Sequence, residues 1–303
     1  MVASSLPVDP LWPRAGSWPA AESIRGRIDL GLIGIPTWRT SLSPTGAYAT
    51  PAAIREALRR YSPFAVSLEG RNVDELVVAD FGDVDEPDGA DGEERARAAM
   101  AGAAAASVVA VALGGDNAAT VPAALGSWGE NIGSAGLVTL DAHHDLRDGI
   151  SNGSPVRRLI EAGLDGHRVV QIGIADFANS RAYTDRARDF GIAVLRRDEL
   201  NRRPMADLMA EAFDIAGSGD GPIHVDIDVD VCDRSVAPAC PASVPGGISA
   251  VELRAAARAA GADSRVRSVD LTEIDALADT PDGRTVRLAA LCILEIAAGI
   301  ARR

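Results

Sequence analysis

The stretch GLVTLDAHHD, residues 136–145, joins two kinds of sequence that point to a fold and to a site. Its first half, Gly136–Leu140, is short and mostly apolar, as expected for a strand of a parallel sheet covered on both faces. Asp141, His143 and Asp145 follow, and in an extended chain these three side chains point to the same side. Such a cluster at the end of a buried strand costs free energy unless a counter-charge neutralises it. The stretch therefore predicts a covered strand with a cation at its carboxyl end.

Other apolar runs share the character of this strand, since they are short, rich in β-branched residues and bounded by loop signals. The eight candidate strands are Ile28–Ile35, Glu75–Phe81, Ser107–Leu113, Gly136–Leu140, Arg168–Ile174, Gly191–Leu195, Ile223–Ile227 and Arg267–Ile274. Helical patterns fall between most of them, and this alternation predicts an α/β fold with a mainly parallel sheet covered on both faces. In such folds ligands bind beyond the carboxyl ends of the strands, so the polar residues found there are candidates for a functional site.

Capping residues mark the starts of several predicted helices. Thr50 is an expected cap followed by Pro51 at the first helical position, Ser249 and Glu252 form a capping box, and Thr285 is expected to cap the last helix. The helical segments are Ala52–Tyr61, Glu93–Ala106, Pro155–Ala162, a segment opening after Ser249, and a last helix running from Thr285 to the C-terminus.

Length, charge and composition limit the classes of protein that fit. The 303 residues are enough for one large α/β domain, and we expect a single domain over residues 1–303 with a short irregular segment at residues 1–25. A net charge of −13 argues against a nucleic-acid or anionic-membrane partner, because both need a basic face. No run reaches the roughly 18 apolar residues of a membrane span, so no membrane association is expected. The three cysteines are few, odd in number and without metal-ligand spacing, which argues against a disulfide framework or a zinc knuckle and makes a reducing cytoplasm the expected location.

Two further strand ends carry polar residues. Gly114–Asn117 follows the third candidate strand, and Asp226, Asp228 and Asp230 share one side of the seventh and the residues after it. Like charges this close repel strongly without a cation between them. Mixed carboxylate and imidazole ligands suit Mn²⁺ or similar ions better than a thiolate-seeking metal. Two such ions sharing carboxylates can lower the pKa of a water molecule and provide hydroxide at neutral pH.

Taken together, these motifs resemble the ureohydrolase family of arginase, agmatinase, guanidinobutyrase and formimidoylglutamase. The family's three metal-binding elements are similar to Gly114–Asn117, Asp141–Asp145 and Asp228–Asp233, and the glutamate of Asp270–Ile274 resembles its substrate-contacting glutamate. The resemblance runs from about Gly31 to the last helix. It implies a three-layer α/β/α sandwich with an eight-stranded parallel sheet, a hydrolase of C–N bonds in linear amidines, a small amidine substrate, and homo-oligomers.

The resemblance also implies a ligand set for two divalent ions. One ion is expected on Asn117, Asp141, Asp145 and Asp228, and the other on Asp141, His143, Asp228 and Asp230. Asn117 stands where the family pattern has histidine, and an amide oxygen is a weaker donor than imidazole for most transition metals. The first metal is therefore expected to bind more weakly, and a non-catalytic homologue is an alternative to an active enzyme.

The segment 145–155 separates the members of the family. Asn152 stands where arginase-like members place a histidine, and the phrase Ser-Asn-Gly-x-Pro, like the loop Ser41–Ala47, resembles formimidoylglutamase. Arg147 lies two residues past a metal ligand and can clamp a substrate carboxylate. The expected reaction is hydrolysis of N-formimidoyl-L-glutamate to L-glutamate and formamide, a step of histidine degradation. Asp145 is expected to relay a proton, and Glu273 to pair with the cationic amidine. A guanidino-acid or agmatine-type ureohydrolase is the alternative enzyme.

Overall fold

The computed structural model describes residues 9–303 and contains one parallel sheet. Within that range the strands are β1 (Ile28–Ile35), β2 (Val78–Asp83), β3 (Ser107–Gly114), β4 (Gly136–Leu140), β5 (Val169–Ile174), β6 (Ala193–Arg196), β7 (Ile223–Asp228) and β8 (Val266–Thr272). Their order is β2-β1-β3-β8-β7-β4-β5-β6, and every strand pairing in residues 9–303 is parallel. The predicted α/β fold with an eight-stranded parallel sheet is confirmed.

Helices cover both faces of this sheet. They are α1 (Thr50–Leu58), α2 (Gly92–Ala106), α3 (Thr120–Trp128), α4 (Pro155–Glu161), α5 (Arg181–Asp189), α6 (Met205–Ala216), α7 (Ala250–Ala262) and α8 (Arg284–Ile300). Helices α1, α6, α7 and α8 pack on the face that carries Leu30 and Ile227. Helices α2 to α5 pack on the opposite face, which carries Ile33 and Leu137. Alternate residues of each strand thus enter separate apolar layers, which gives the three-layer sandwich.

Two of the predicted helix caps are wrong by one or two residues. Thr50 and Thr285 lie in the first turns of α1 and α8, where their hydroxyls donate hydrogen bonds to groups outside these helices. Helix α8 begins after Gly283, whose φ of +64° suits a residue without a Cβ. The capping box at α7 is confirmed, because Ser249 Oγ accepts from the Glu252 amide and the Glu252 carboxylate accepts from the Ser249 amide.

The four central strands bring distant parts of the chain to one edge. β3 and β4 are consecutive in the sequence, but β8 and β7 lie between them in the sheet. The registers place Thr139 of β4 beside Asp226 of β7, and Asp226 beside Asp270 of β8. Because all four strands run in the same direction, the residues that follow each of them meet at the same end of the sheet. The chain segments around residues 117, 141–145, 228–230 and 273 therefore become neighbours.

The N-terminal region is described from residue 9 onwards. The irregular segment predicted for residues 1–25 thus lies partly outside the described residues, and its described part contains a short 3-10 turn at Ala21–Ser23. Ala20 forms a single bridge with Asp80 on the edge strand β2. No helix within residues 9–303 is long and apolar enough to cross a bilayer.

Candidate active site

Two sets of ligand-type side chains meet beyond the ends of β4 and β7. Ligand atoms of Asp141, His143 and Asp230 all lie within 4.8 Å of one another, and so do ligand atoms of Asp141, Asp145 and Asp228. Asp141 belongs to both sets, as a carboxylate shared by two ions would. The strand geometry explains the arrangement, since Asp228 ends β7 while Asp141 directly follows β4 on the neighbouring strand.

These carboxylates are buried and lie close together, so their negative charges are not fully compensated by the protein. Burial, and next the Asp230 carboxylate, raises the pKa of Asp141 to about 7. Burial also raises the pKa of Asp145 and of Asp228 well above the usual range, and the neighbouring carboxylates raise both further. Asp141 Oδ2 is buried and has no hydrogen-bond partner within residues 9–303. Divalent cations would supply the missing charge, so the side chains present fit a metal centre.

Within residues 9–303, His143 is the cationic group that belongs to the two ligand sets. Its Nδ1 lies 3.0 Å from Asp230 Oδ2 and 3.4 Å from Asp141 Oδ1. Although burial disfavours the imidazolium, the two carboxylates outweigh it and raise the pKa of His143 to about 12. The same contact lowers the pKa of Asp230 despite its burial. The two carboxylates thus favour the protonated imidazole, and an ion that binds His143 would have to displace that proton.

Asn117 contacts the centre through its amide NH₂ group. Asn117 Nδ2 donates to Asp145 Oδ2 at 2.7 Å. Its amide oxygen accepts from the hydroxyls of Thr120 at 2.6 Å and Thr272 at 3.0 Å. The oxygen is therefore already engaged on the side away from Asp145. The direct ligand role predicted for Asn117 requires this oxygen to leave both hydroxyls.

Glu273 lies between the metal-ligand sets and the substrate-facing loops. Its Oε1 accepts from the Asn117 backbone amide at 2.8 Å and from Asn152 Nδ2 at 2.7 Å. Burial, and next the Asp116 carboxylate, raises the pKa of Glu273 to about 8. Both Glu273 and Asp145 have left-handed φ angles, of +61° and +54°, which are strained for residues with a Cβ. The backbone thus holds the two predicted catalytic side chains in conformations that a relaxed loop would avoid.

A cavity of about 250 Å³ opens from the metal-ligand sets towards the loops. We call its far side, lined by Ser43, Arg147, Ser180 and Tyr183, the outer wall. The Arg147 guanidinium is exposed and has no ion pair or hydrogen bond with any group in residues 9–303. A Cβ at Gly153 would lie 2.7 Å from Arg147 Cδ, so the glycine leaves the room that the arginine needs.

The loop between β5 and α5 is hydrogen-bonded to the segment Asp141–Asp145. Asn179 Nδ2 donates to the carbonyl of Ala142 at 2.9 Å, and the His144 amide donates to Asn179 Oδ1 at 2.9 Å. Gln171 in β5 binds His144 twice, with Oε1 2.7 Å from Nδ1 and with Nε2 donating to the His144 carbonyl at 2.9 Å. These residues were not predicted from the sequence. Only Gln171 carried a signal, because a polar residue in the apolar run VVQIGI needs a buried partner.

Asp226 lies on the same side of β7 as Asp228, two residues before the end of the strand. It is fully buried beside Asp270, and burial followed by Asp270 raises the pKa of Asp226 well above the usual range. Asp270 Oδ2 lies 3.0 Å from His224 Nε2. Among the described residues, Asp226 belongs to neither ligand set.

Comparison with known proteins adds independent findings. A profile of the Arginase family matches residues 28–299. The chain is 34% identical over 283 residues to formimidoylglutamase of Halalkalibacterium halodurans, covering 90% of this chain and 88% of that protein. It is 30% identical over 292 residues to mitochondrial agmatinase of Gallus gallus, covering 92% and 82% of the two chains.

Solved structures show the same similarity. The structure of Bacillus subtilis formimidoylglutamase superposes with a TM-score of 0.90 and 28% identity, covering 99% of this chain and 95% of that one. The structure of Trypanosoma cruzi formiminoglutamase with Mn²⁺ superposes with a TM-score of 0.84 and 25% identity, covering 96% and 99%.

Proposed function

Because this chain belongs to the arginase family and is a hydrolase of linear amidines, we propose that its substrate is N-formimidoyl-L-glutamate. The products are L-glutamate and formamide. Formimidoylglutamases of Halalkalibacterium halodurans and Bacillus subtilis, at 34% and 31% identity, support this choice. Agmatinase and guanidinopropionase relatives are 30% and 28% identical to this chain. Sequence identity alone therefore does not select the substrate, and the side chains of the cavity must distinguish between these compounds.

The charge of the outer wall is the observation that carries the proposal. All acidic residues that line the cavity, namely Asp145, Asp228, Asp230 and Glu273, belong to the metal-ligand sets or lie beside them. The outer wall holds Arg147, a guanidinium without a protein partner among the described residues. Such a group favours a substrate whose tail carries a carboxylate, because planar guanidinium and carboxylate groups form two parallel hydrogen bonds. The cationic tail of agmatine would instead be repelled.

We propose that two divalent cations, Mn²⁺ by preference, occupy the two ligand sets. Asp141, His143 and Asp230 would hold one ion, and Asp141, Asp145 and Asp228 the other, with Asn117 beside the second. Asp228, like Asp141, would serve as a ligand to both ions. When bound, the cations lower the pKa of a water molecule so that hydroxide is available at neutral pH.

The chain's own residues then orient the substrate and move the proton. Glu273 faces the cavity and would pair with the cationic amidine, and Asn152 holds the Glu273 carboxylate in place through its 2.7 Å hydrogen bond. Asn117 donates to one oxygen of Asp145, which orients this carboxylate to accept a proton from the attacking water. Asp145 would pass that proton to the leaving nitrogen, which departs as the amine of glutamate.

A substrate panel tests this function. With Mn²⁺, we expect turnover of formimidoylglutamate and little of agmatine or arginine, because Arg147 favours a substrate whose tail carries a carboxylate and repels a cationic tail. Arg147→Ala should raise KM about tenfold or more with kcat nearly unchanged, and Arg147→Lys should recover only part of the loss. A clear preference for guanidinobutyrate would replace the proposed substrate by a guanidino acid. Metal binding without turnover of any amidine would favour a non-catalytic homologue.

A further inference from the structure

The outer wall presents a second donor without a protein partner, the hydroxyl of Tyr183. The side chain of Tyr183 is half-buried, lines the cavity, and forms no hydrogen bond through its hydroxyl with any group in residues 9–303. A phenol hydroxyl is a good donor to a carboxylate. We propose that Tyr183 is a specificity-determining residue that binds one carboxylate of the substrate while Arg147 binds the other. This inference rests on the proposed function, since formimidoylglutamate carries two carboxylates.

Arg186 fixes the direction of the Tyr183 ring. The guanidinium carbon of Arg186 lies 5.5 Å from the centre of that ring, in cation–π contact. Arg186 is itself anchored, because its Nη1 donates to the Leu146 carbonyl at 2.6 Å and to Asp148 Oδ1 at 2.8 Å. Both anchors flank Arg147 in the sequence. The contact therefore ties the Tyr183 ring to the loop that carries Arg147.

The first turn of α5 also has a defined position relative to the metal centre. Asn179 binds the backbone of Ala142 and His144, which alternate with the predicted metal ligands. Thr184, the residue after Tyr183, has its hydroxyl 3.4 Å from His144 Nε2. Tyr183 is thus restrained both by Arg186 and by the segment that carries the predicted metal ligands. Its hydroxyl can therefore favour substrates in which a carboxylate lies at one particular distance from the reacting carbon.

The other free hydroxyl of the outer wall fits this role less well. Ser43 is exposed, and no hydrogen bond within residues 9–303 restrains its side chain. An unrestrained donor pays more conformational entropy when it binds a ligand than one held by stacking does. A pair formed by Tyr183 and Arg147 would also select for a dicarboxylate, because a guanidino acid with a single carboxylate would leave one of the two donors unmatched.

The test crosses variants with truncated substrates. Wild type, Tyr183→Phe, Arg147→Ala and the control Tyr48→Phe would be assayed with N-formimidoyl-L-glutamate and with two analogues, each lacking one carboxylate. Tyr48 is a suitable control because it is half-exposed and does not line this cavity. For the parent substrate we expect Tyr183→Phe to raise KM about tenfold with kcat within about twofold. The control should change neither value.

The pattern across the analogues decides the inference. Tyr183→Phe should have no effect on one analogue and its full effect on the other, and Arg147→Ala should show the reverse pattern. Equal effects of Tyr183→Phe on all three substrates, or no effect on any, would overturn the inference, as would both variants being insensitive to the same analogue. If wild type does not hydrolyse formimidoylglutamate at all, the proposed function fails and the inference fails with it.

Discussion

The two ends of the cavity differ in how their side chains are held. At the inner end, Asp141, Asp145 and Asp228 are buried, repel one another and are fixed by strand ends and hydrogen bonds. At the outer end, Arg147 and Tyr183 lie on a loop and a helix, and their polar groups have no partner within residues 9–303. The inner end is thus arranged for ions, and the outer end is arranged for a ligand that brings its own charges. Chemistry and substrate choice can then change independently in a protein of this fold.

Removal of the shared carboxylate is the strongest test of the inner end. Asp141→Asn changes both ligand sets at once, since Asp141 belongs to each. We expect the activity to fall more than about a thousandfold and the metal content to drop, because the ions stabilise the transition state by several kcal/mol. Activity assays with metal analysis by mass spectrometry measure both. Near-normal turnover with two ions bound would mean that the inner end is not a two-metal centre.

Glu273 lies between the inner and outer ends of the cavity, so its variant tests whether substrate orientation and metal binding depend on each other. Glu273→Gln keeps an oxygen for the amides of Asn117 and Asn152 but removes the charge that would face the amidine. The expected result is a loss of about a hundredfold in kcat/KM with the metal content unchanged, since one electrostatic partner of the transition state is lost. Asn152→Ala provides a comparison and should have a smaller effect. A Glu273→Gln enzyme with wild-type kcat/KM would separate Glu273 from the reaction.

Repulsion at the inner end should also appear as a pH-dependent stability of the metal-free protein. The folded-state pKa values of Asp141, about 7, and Glu273, about 8, lie above their ordinary values of 3.8 and 4.5. Between pH 6 and 9 the folded state therefore binds more protons than the unfolded chain, and stability falls as pH rises. His143, raised from 6.5 to about 12, acts in the same direction over this range.

We expect the melting temperature of the metal-free protein to fall by roughly 5 °C or more between pH 6 and pH 9. Saturating Mn²⁺ should remove most of this slope, and so, in part, should Asp141→Asn. Asp176→Asn, which changes an exposed carboxylate by the same charge, is the matched control. Differential scanning calorimetry measures the melting temperature of the metal-free protein, of the protein with Mn²⁺ and of the two variants. A melting temperature that does not change with pH would contradict the repulsion described for the inner end.

The smallest expected effect concerns Asn117. Asn117→His should tighten binding of the ion beside Asp145 by severalfold, because imidazole is a better donor than an amide whose oxygen is already engaged. Isothermal titration of the metal-free proteins compares the two affinities. Equal or weaker binding would mean that the hydroxyls of Thr120 and Thr272, which hold the amide, also position the side chain that the ion needs.

The inner end was predictable from the sequence and the outer end largely was not. Asp141, His143 and Asp145 occupy one short segment, so period-two alternation alone places them on one side. Tyr183 occurs in a polar helix whose sequence resembles any exposed surface helix, and its place in the cavity depends on how α5 meets the loop of Arg147. Likewise, the two hydroxyls that orient Asn117 come from different elements, and no local pattern connects them.

The sheet order has a consequence for how the molecule folds. β7 and β8, which supply Asp228 and Glu273, insert between β3 and β4, although more than eighty residues separate β4 from β7 in the chain. Facing edges of β3 and β4 stay open during synthesis until this last part of the chain arrives. Contacts between such distant segments form late and slowly. We therefore expect the two ligand sets to form only after β7 and β8 have joined the sheet, so that ion uptake during refolding would report a late step.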